Sequence, residues 1–421
     1  MRILYRILFY LALPLIFIRL WWKSRRQPAY RQRLSERLGF YPFHLDHCIW
    51  VHAVSMGETI AAIPLIKALK TRYPQIPMLV TTMTPTGTER VKMAFGDSVK
   101  HVYLPYDFPG GVKRFLTAMK PVVAVIMETE LWPTLVAECA KKQIPLCLVN
   151  ARLSEKSAQG YARIQPLTRE MLQQLTMIAA HGQADAERFI DLGALPSKVN
   201  VTGNIKFDLV LPDNLAAKSA ALRESLGRDR FIWIAASTHE GEEEIILAAH
   251  QKLREVNPQA LLILVPRHSD RFDAIATMCE QKFVTERRSA GQPCRAETAV
   301  YLGDTMGELL LMYGASDVAF VGGSLIVRGG HNMLEPGALQ KPILTGPHLF
   351  NFAEISELFF SAKAMVKVED AESLAKQLIA WFQHPDERLR VGERALQVVA
   401  ANRGALAKQL SQVNEVIDRS V

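Results

Sequence analysis

Apolar residues follow three patterns along the chain, and each predicts a different kind of structure. From Ile3 to Leu20 they are almost continuous, with Arg6 and Arg19 the only charges. As one helix these residues are about 27 Å long, the thickness of a hydrocarbon core. From residue 45 onward, short β-rich runs alternate with stretches of helical periodicity. Strands are predicted at Ile49–Val54, Met78–Thr82, Val99–Leu104, Val122–Met127, Leu146–Asn150, Met177–Ala180 and Val199–Thr202, with helices such as Ile60–Arg72 and Thr134–Lys142 between them. The alternation breaks at Asp208–Asn214 (D-L-V-L-P-D-N), a short proline-bearing linker. It restarts with strands at Phe231–Ala236, Leu261–Pro266, Ala299–Tyr301, Val318–Gly322 and Pro342–Leu344, and from Ala371 the pattern is helical. Alternating strands and helices are the signature of parallel, doubly wound sheets. The predicted fold class is α/β: two Rossmann-like domains with an inter-domain cleft, behind an N-terminal membrane-anchor helix. The expected boundaries are 1–26 for the anchor, 27–207 for the first domain, and 208–421 for the second with its C-terminal helices.

Composition narrows the class. The chain has 421 residues, 49% of them apolar and 22% charged. That balance supports sizeable cores and excludes a disordered, collagen-like or polytopic membrane protein. The formal net charge is +8, and all of it lies in the first forty residues, which carry nine basic side chains against Glu36. The basic character therefore belongs to the N-terminus, and no nucleic-acid partner is expected. Trp21 and Trp22 follow the apolar run and are backed by Lys23, Arg25 and Arg26. Tryptophans at headgroup level with cations behind them mark a membrane interface with the cationic flank in the cytoplasm. No small-residue cleavage site follows the run, which argues against a cleaved signal. The five cysteines form no C-x-x-C pair. A reducing compartment fits that pattern.

Ligands in doubly wound sheets sit beyond the carboxyl ends of strands, so the loops after each strand carry the candidate chemistry. The first ends in Ser55-Met56-Gly57-Glu58 and a helix. Gly57 allows a tight turn there. Glu58 has two readings: a general base in the cleft, or a carboxylate that only complements the helix dipole. The fourth strand ends in Glu128-Thr129-Glu130-Leu131-Trp132, and the fifth in Asn150-Ala151-Arg152. Thr82 to Gly87 form another polar loop with free backbone donors suited to an anion. In the second half, Ser237, Thr238 and His239 follow one strand, and Ser237 or Thr238 is placed to cap the next helix. Pro266, Arg267 and His268 follow another, and the planar fork of Arg267 suits a phosphate. Gly322-Gly323-Ser324 leads into Gly329-Gly330-His331-Asn332-Met333-Leu334-Glu335. These glycines allow a close backbone approach to a ligand, a helix starting at Asn332 suits a phosphate, and Glu335 suits ribose hydroxyls. There is no P-loop signature, no G-x-G-x-x-G after the first strand, no H-E-x-x-H and no D-x-D. No metal and no cofactor are expected.

Taken together, the anchor, H-A-V-S-M-G-E at 52–58, M-E-T-E-L-W-P at 127–133, N-A-R-L-S at 150–154, G-N-I-K-F-D at 203–208, V-P-R-H at 265–268 and G-G-H-N-M-L-E-P at 329–336 resemble the Kdo (3-deoxy-D-manno-octulosonic acid) transferases of Gram-negative lipopolysaccharide assembly. The resemblance runs in order from the anchor to about residue 360. It implies a GT-B glycosyltransferase in which the first domain takes the lipid A precursor and the second takes CMP-Kdo. It further implies inverting transfer without a metal, at the cytoplasmic face of the inner membrane. The family's general base falls on Glu58, and a second, acceptor-side carboxylate on Glu128. Its nucleotide contacts fall on Pro266, Arg267, Gly307, Glu308, Leu309, Asn332, Met333, Leu334 and Glu335. Ser55, Gly57, Arg152, Lys206, Ser237, His239, His268, Ser324, Gly330 and His331 complete the candidate cleft. No motif fixes the number of Kdo units added or an oligomeric state. The alternative is a GT-B enzyme that takes a UDP-sugar and a lipid acceptor; a non-catalytic scaffold fits less well, because Glu58, Arg267 and Glu335 are all present.

Overall fold

The computed structural model describes residues 1–421, with side chains at every position but Arg26. The chain forms two compact units, Met1–Asp208 with Arg403–Val421, and Leu209–Asn402.

The first unit holds a parallel sheet of β1 (Cys48–His52), β2 (Met78–Thr82), β3 (Lys100–Tyr103), β4 (Pro121–Met127), β5 (Leu146–Ala151), β6 (Met177–Ala180) and β7 (Val199–Val201). Their order is β3-β2-β1-β4-β5-β6-β7. Strands buried on both faces read as unbroken apolar runs, and β1, β2 and β5 are buried at every position. Side chains alternate between the faces. Trp50, Leu79, Ala124 and Leu148 pack with Phe115 on one side. Ile49, Val51, Val80 and Val125 pack with Leu65, Ile66 and Leu69 of the Met56–Arg72 helix on the other. Strand order reverses between β1 and β4. The loops that leave these two strands, with Glu58 and Glu128, therefore open side by side at the carboxyl edge.

The second unit repeats the plan with β8 (Ile232–Thr238), β9 (Leu261–Pro266), β10 (Thr285–Arg287), β11 (Val300–Leu302), β12 (Val318–Val321), β13 (Ile343–Thr345) and β14 (Met365–Lys367), in the order β10-β11-β9-β8-β12-β13-β14. Here the reversal lies between β8 and β12. It sets the His239 loop beside the Gly322–Ser324 loop, with Arg267 at the end of neighbouring β9.

Every predicted strand is present, with ends shifted by two residues or fewer. β10 and β14 went unpredicted. Each is three residues long and sits at a sheet edge, where half-exposed residues of mixed polarity carry little period-two signal.

The expected second domain, 208–421, is corrected at its end. The Ala405–Asp418 helix belongs to the first unit, where Leu406, Leu410, Val413 and Ile417 pack against its sheet. Buried Gln409 fixes the register: its Oε1 accepts from Asn150 N at 3.0 Å, and its Nε2 donates to Thr202 Oγ1 at 3.0 Å and Gly203 O at 3.1 Å. Asp208, where the chain leaves the first unit, accepts from Gly404 N and Leu406 N, both at 2.6 Å, where it returns.

The Arg2–Arg26 helix also belongs to the first unit. Over Arg2–Arg25 its most apolar stretch has a mean hydropathy of 1.9, and among the described residues it is the one helix long and apolar enough to cross a membrane.

Candidate active site

Glu58 lies in the first turn of the Met56–Arg72 helix, with Ser55 as N-cap. Its Oε1 accepts from Ser55 Oγ at 2.7 Å, its Oε2 from Val54 N at 2.8 Å, and Ser55 Oγ in turn accepts from Glu58 N at 3.4 Å. Ser55 thus caps the helix through Glu58 N, while the Glu58 carboxylate holds the chain just before the cap through Val54 N. The side chain is only 8% exposed. Burial pushes its carboxyl up to about 7 against the two hydrogen bonds, and the charges of Glu128 and Glu130 add to the rise. A carboxyl poised near neutrality can both accept and release a proton at physiological pH. The same geometry accommodates either reading of Glu58, helix-start carboxylate or general base. Gly57 is not needed for a turn: it has ordinary helical backbone, and a Cβ there would meet nothing nearer than Ser55 Oγ at 3.9 Å.

Glu128 leaves β4 in the left-handed region, at φ 55°. Its Oε1 pairs with Lys206 Nζ at 3.4 Å, brought in by the short turn Ile205–Phe207. That turn is held by Asn150, whose Oδ1 accepts from Ile205 N at 2.9 Å. Trp132 donates its Nε1 hydrogen to Glu130 Oε2 at 3.1 Å and sets its ring edge-on to His52. His52 is fully buried against Thr81, and desolvation lowers it to about 4, so it is neutral at pH 7. Thr129 Oγ1 donates to the Arg152 carbonyl, which ties the loops after β4 and β5 together. The first unit therefore gathers Ser55, Glu58, Glu128, Arg152 and Lys206 at one sheet edge.

In the second unit, His239, His268 and His331 converge. His239 and His331 stack with their Nε2 atoms 2.8 Å apart, and His268 meets His239 edge-on at 5.3 Å. Desolvation, then neighbouring charges that include Arg267, lower His239 and His331 to about 4. Burial raises the Glu335 carboxyl, against the hydrogen bond from Asn332 and the charge of Arg267. Asn332 Nδ2 donates to Glu335 Oε1 at 3.1 Å, and Asn332 Oδ1 accepts from Leu334 N at 3.1 Å. Met333 and Leu334 are fully buried, and Leu334 N is already taken by Asn332, so neither offers a side chain to a ligand. Glu308 is the N-cap residue of the Leu309–Ala315 helix and is gripped by both arms of Arg288, at 2.8 and 3.0 Å, beside Gly307 with φ 83°.

Four expectations are corrected here. Neither Ser237 nor Thr238 caps the next helix; Thr238 Oγ1 donates instead to buried Glu243, and Ser237, the penultimate residue of β8, has φ 56°. The helix near Asn332 runs only from Leu334 to Ala338, too short to offer an N-terminal anion site. Ser324 is fully buried, with its Oγ donating to Val321 O and accepting from Gly346 N, so its side chain is not available to a ligand. The backbone donors of the glycine loop are also taken. Gly323 N, Ser324 N and Leu325 N converge on the carboxylate of Glu242, which also accepts from His239 N, at 2.7 to 3.0 Å. Gly323, at φ 68°, opens this anion-binding nest, and the protein fills it with its own carboxylate. Glu242 was not among the expected site residues. Its signal was a run of acids after a strand, in H-E-G-E-E-E, with nothing to mark which one turns inward.

Two doubly wound sheets, each with polar loops gathered at its switch point, define the class as GT-B. In fold alone the chain resembles Anabaena Alr3699/HepE in complex with UDP, at TM-score 0.56 and 14% identity over 88% of this chain and 100% of that one. A family model described as 3-deoxy-D-manno-octulosonic-acid transferase (kdotransferase) matches residues 32–209. The 3-deoxy-D-manno-octulosonic acid transferase of Haemophilus influenzae is 44% identical over 425 residues, 100% of both chains. That of Bordetella pertussis is 35% identical over 421 residues, 96% of both. The chain belongs to the Kdo transferase family.

Proposed function

We propose that this chain transfers Kdo from CMP-Kdo to the lipid A precursor in lipopolysaccharide core synthesis, with Glu58 as general base. The observation that carries the assignment of the base is the buried, near-neutral carboxyl of Glu58 at the switch point of the first sheet. Glu58 takes the proton of an acceptor hydroxyl while that oxygen bonds to the anomeric carbon of Kdo. The bond from that carbon to the CMP phosphate breaks, its electron pair leaves with CMP, and attack opposite the leaving group inverts the centre. Glu128, paired with Lys206, orients the acceptor. Arg267 balances the phosphate, and Asn332 with Glu335 holds the nucleotide. A phosphate leaves readily, so positioned cations and a base suffice without a metal. The Arg2–Arg26 helix and its basic flank keep the enzyme at the cytoplasmic face of the inner membrane, which raises the effective concentration of a lipid acceptor. The full-length likeness to two Kdo transferases favours this donor over a UDP-sugar.

The test is mass spectrometry of lipid products from wild type and Glu58→Gln, each given CMP-Kdo and tetra-acylated lipid A precursor. Wild type adds Kdo, and the variant adds none while still binding CMP. Near-wild-type turnover by the variant would reduce Glu58 to a capping residue. No product from wild type would overturn the Kdo reading itself.

A further inference from the structure

The Arg2–Arg26 helix meets its own domain along its whole length. Arg2, Tyr5, Arg6, Phe9, Leu13, Ile16, Phe17, Leu20 and Ser24 are half-buried or buried and recur every three or four residues, so they form one face. That face carries polar locks. Tyr5 Oη donates at 2.9 Å to Asp107, which is 1% exposed and also accepts from Thr134 N at 2.9 Å and Leu135 N at 2.8 Å, at the start of the Pro133–Lys141 helix. Arg6 pairs with buried Glu138 at 3.3 Å, and Arg2 pairs with Glu170. Tyr10 and Phe17 set their rings edge-on to Phe108 and Tyr106, on either side of Asp107.

The opposite face is bare and apolar. Ile3, Leu4, Ile7, Leu8, Leu11, Leu15, Ile18 and Trp22 are exposed at the same three- and four-residue spacing, with Ile3 at 75% and Leu11 at 70%. At its C-terminal end Arg19, Lys23 and Arg25 are exposed, and Arg25 lies over the Trp21 ring at 4.3 Å. Cations beside interfacial tryptophans complement an anionic headgroup layer.

A helix that crosses a bilayer needs lipid or protein built for lipid on every side. If this one crossed, Asp107, Glu138, Glu170 and the helices that carry the last two would be drawn to hydrocarbon depth, where charge is costly. We propose that the helix does not cross the membrane but lies in its plane, docked on its own domain by one face, with the other sunk in a single leaflet. Both of its ends then stay on the same side. The inference rests on the membrane association proposed above.

The test uses the full chain with C294S, spin-labelled singly through I3C, L11C or I18C, on vesicles of phosphatidylethanolamine and phosphatidylglycerol. All three labelled positions are exposed, so the fold tolerates them. Depth is read from relaxation by oxygen against an aqueous nickel chelate. An in-plane helix puts the three labels at one shallow depth. A crossing helix puts Leu11 deeper than both others by about 10 Å, from a rise of about 1.5 Å per residue. Flotation with Leu11 deepest overturns the in-plane arrangement and leaves membrane association standing. Failure to float with the vesicles overturns both.

Discussion

The poised carboxyl of Glu58 makes a prediction that separates stability from catalysis. Folding moves this group from 4.5 to about 7, so the native state binds its proton more tightly than the unfolded chain does. Stability is therefore greatest below the unfolded value and is lost as pH rises through the folded one. A tenfold difference in proton affinity is worth about 1.4 kcal/mol, so ionising Glu58 costs the native state up to about 3 kcal/mol above pH 8. Glu58→Gln removes that cost while keeping the local hydrogen bonds, since its amide can accept from Val54 N and donate to Ser55 Oγ. The variant should exceed wild type by about 1 kcal/mol or less at pH 5 and by up to about 3 kcal/mol at pH 8.5, the difference growing by roughly 2–8 °C in melting temperature. Paired thermal melts of the two proteins across pH 5–9 measure this. Wild-type kcat should rise over the same interval as the base ionises, and the variant should stay inactive throughout. A melting difference that does not change with pH would refute the argument that burial holds this carboxyl near neutrality.

Three other outcomes follow from buried polar groups and close packing. Glu242→Gln leaves backbone donors of the glycine loop short of acceptors at about 1–3 kcal/mol each; KM for CMP-Kdo should rise about tenfold or more while the acceptor KM stays near wild type, as steady-state kinetics with each substrate varied would show. Gln409→Leu strips Asn150 N of its buried acceptor and should lower the stability of the first unit by about 1–3 kcal/mol, visible as faster proteolysis between residues 1 and 208, with CMP affinity unchanged. Gly346→Ala would set a Cβ 2.2 Å from Ser324 O; because that neighbour is backbone, the β12 loop must shift, and CMP binding measured by calorimetry should weaken at least tenfold.

What the sequence disclosed and what it withheld divide along physical lines. The central strands were legible because burial on both faces forces continuous apolar runs, and Ile49–Val51 or Leu261–Val265 admit no other reading. The loops holding Glu58, Glu128 and Arg267 were legible because a doubly wound sheet puts function at strand ends. The edge strands Thr285–Arg287 and Met365–Lys367 have one partner each and no such constraint. The destination of the last helix was hidden for a different reason. An apolar stripe such as Leu406, Leu410, Val413 and Ile417 says that one face is buried, but not against which sheet. That choice rests on Gln409 and Asp208, two polar residues whose partners lie hundreds of positions away or at the far end of an intervening domain. The same limit applies to the N-terminal helix. Its hydropathy reads as a span because composition averages over all faces, whereas Tyr5, Arg6 and their partners Asp107 and Glu138 make its two faces unequal. In each case apolar periodicity proposes a buried face, and a few buried polar bonds between distant residues decide where that face goes.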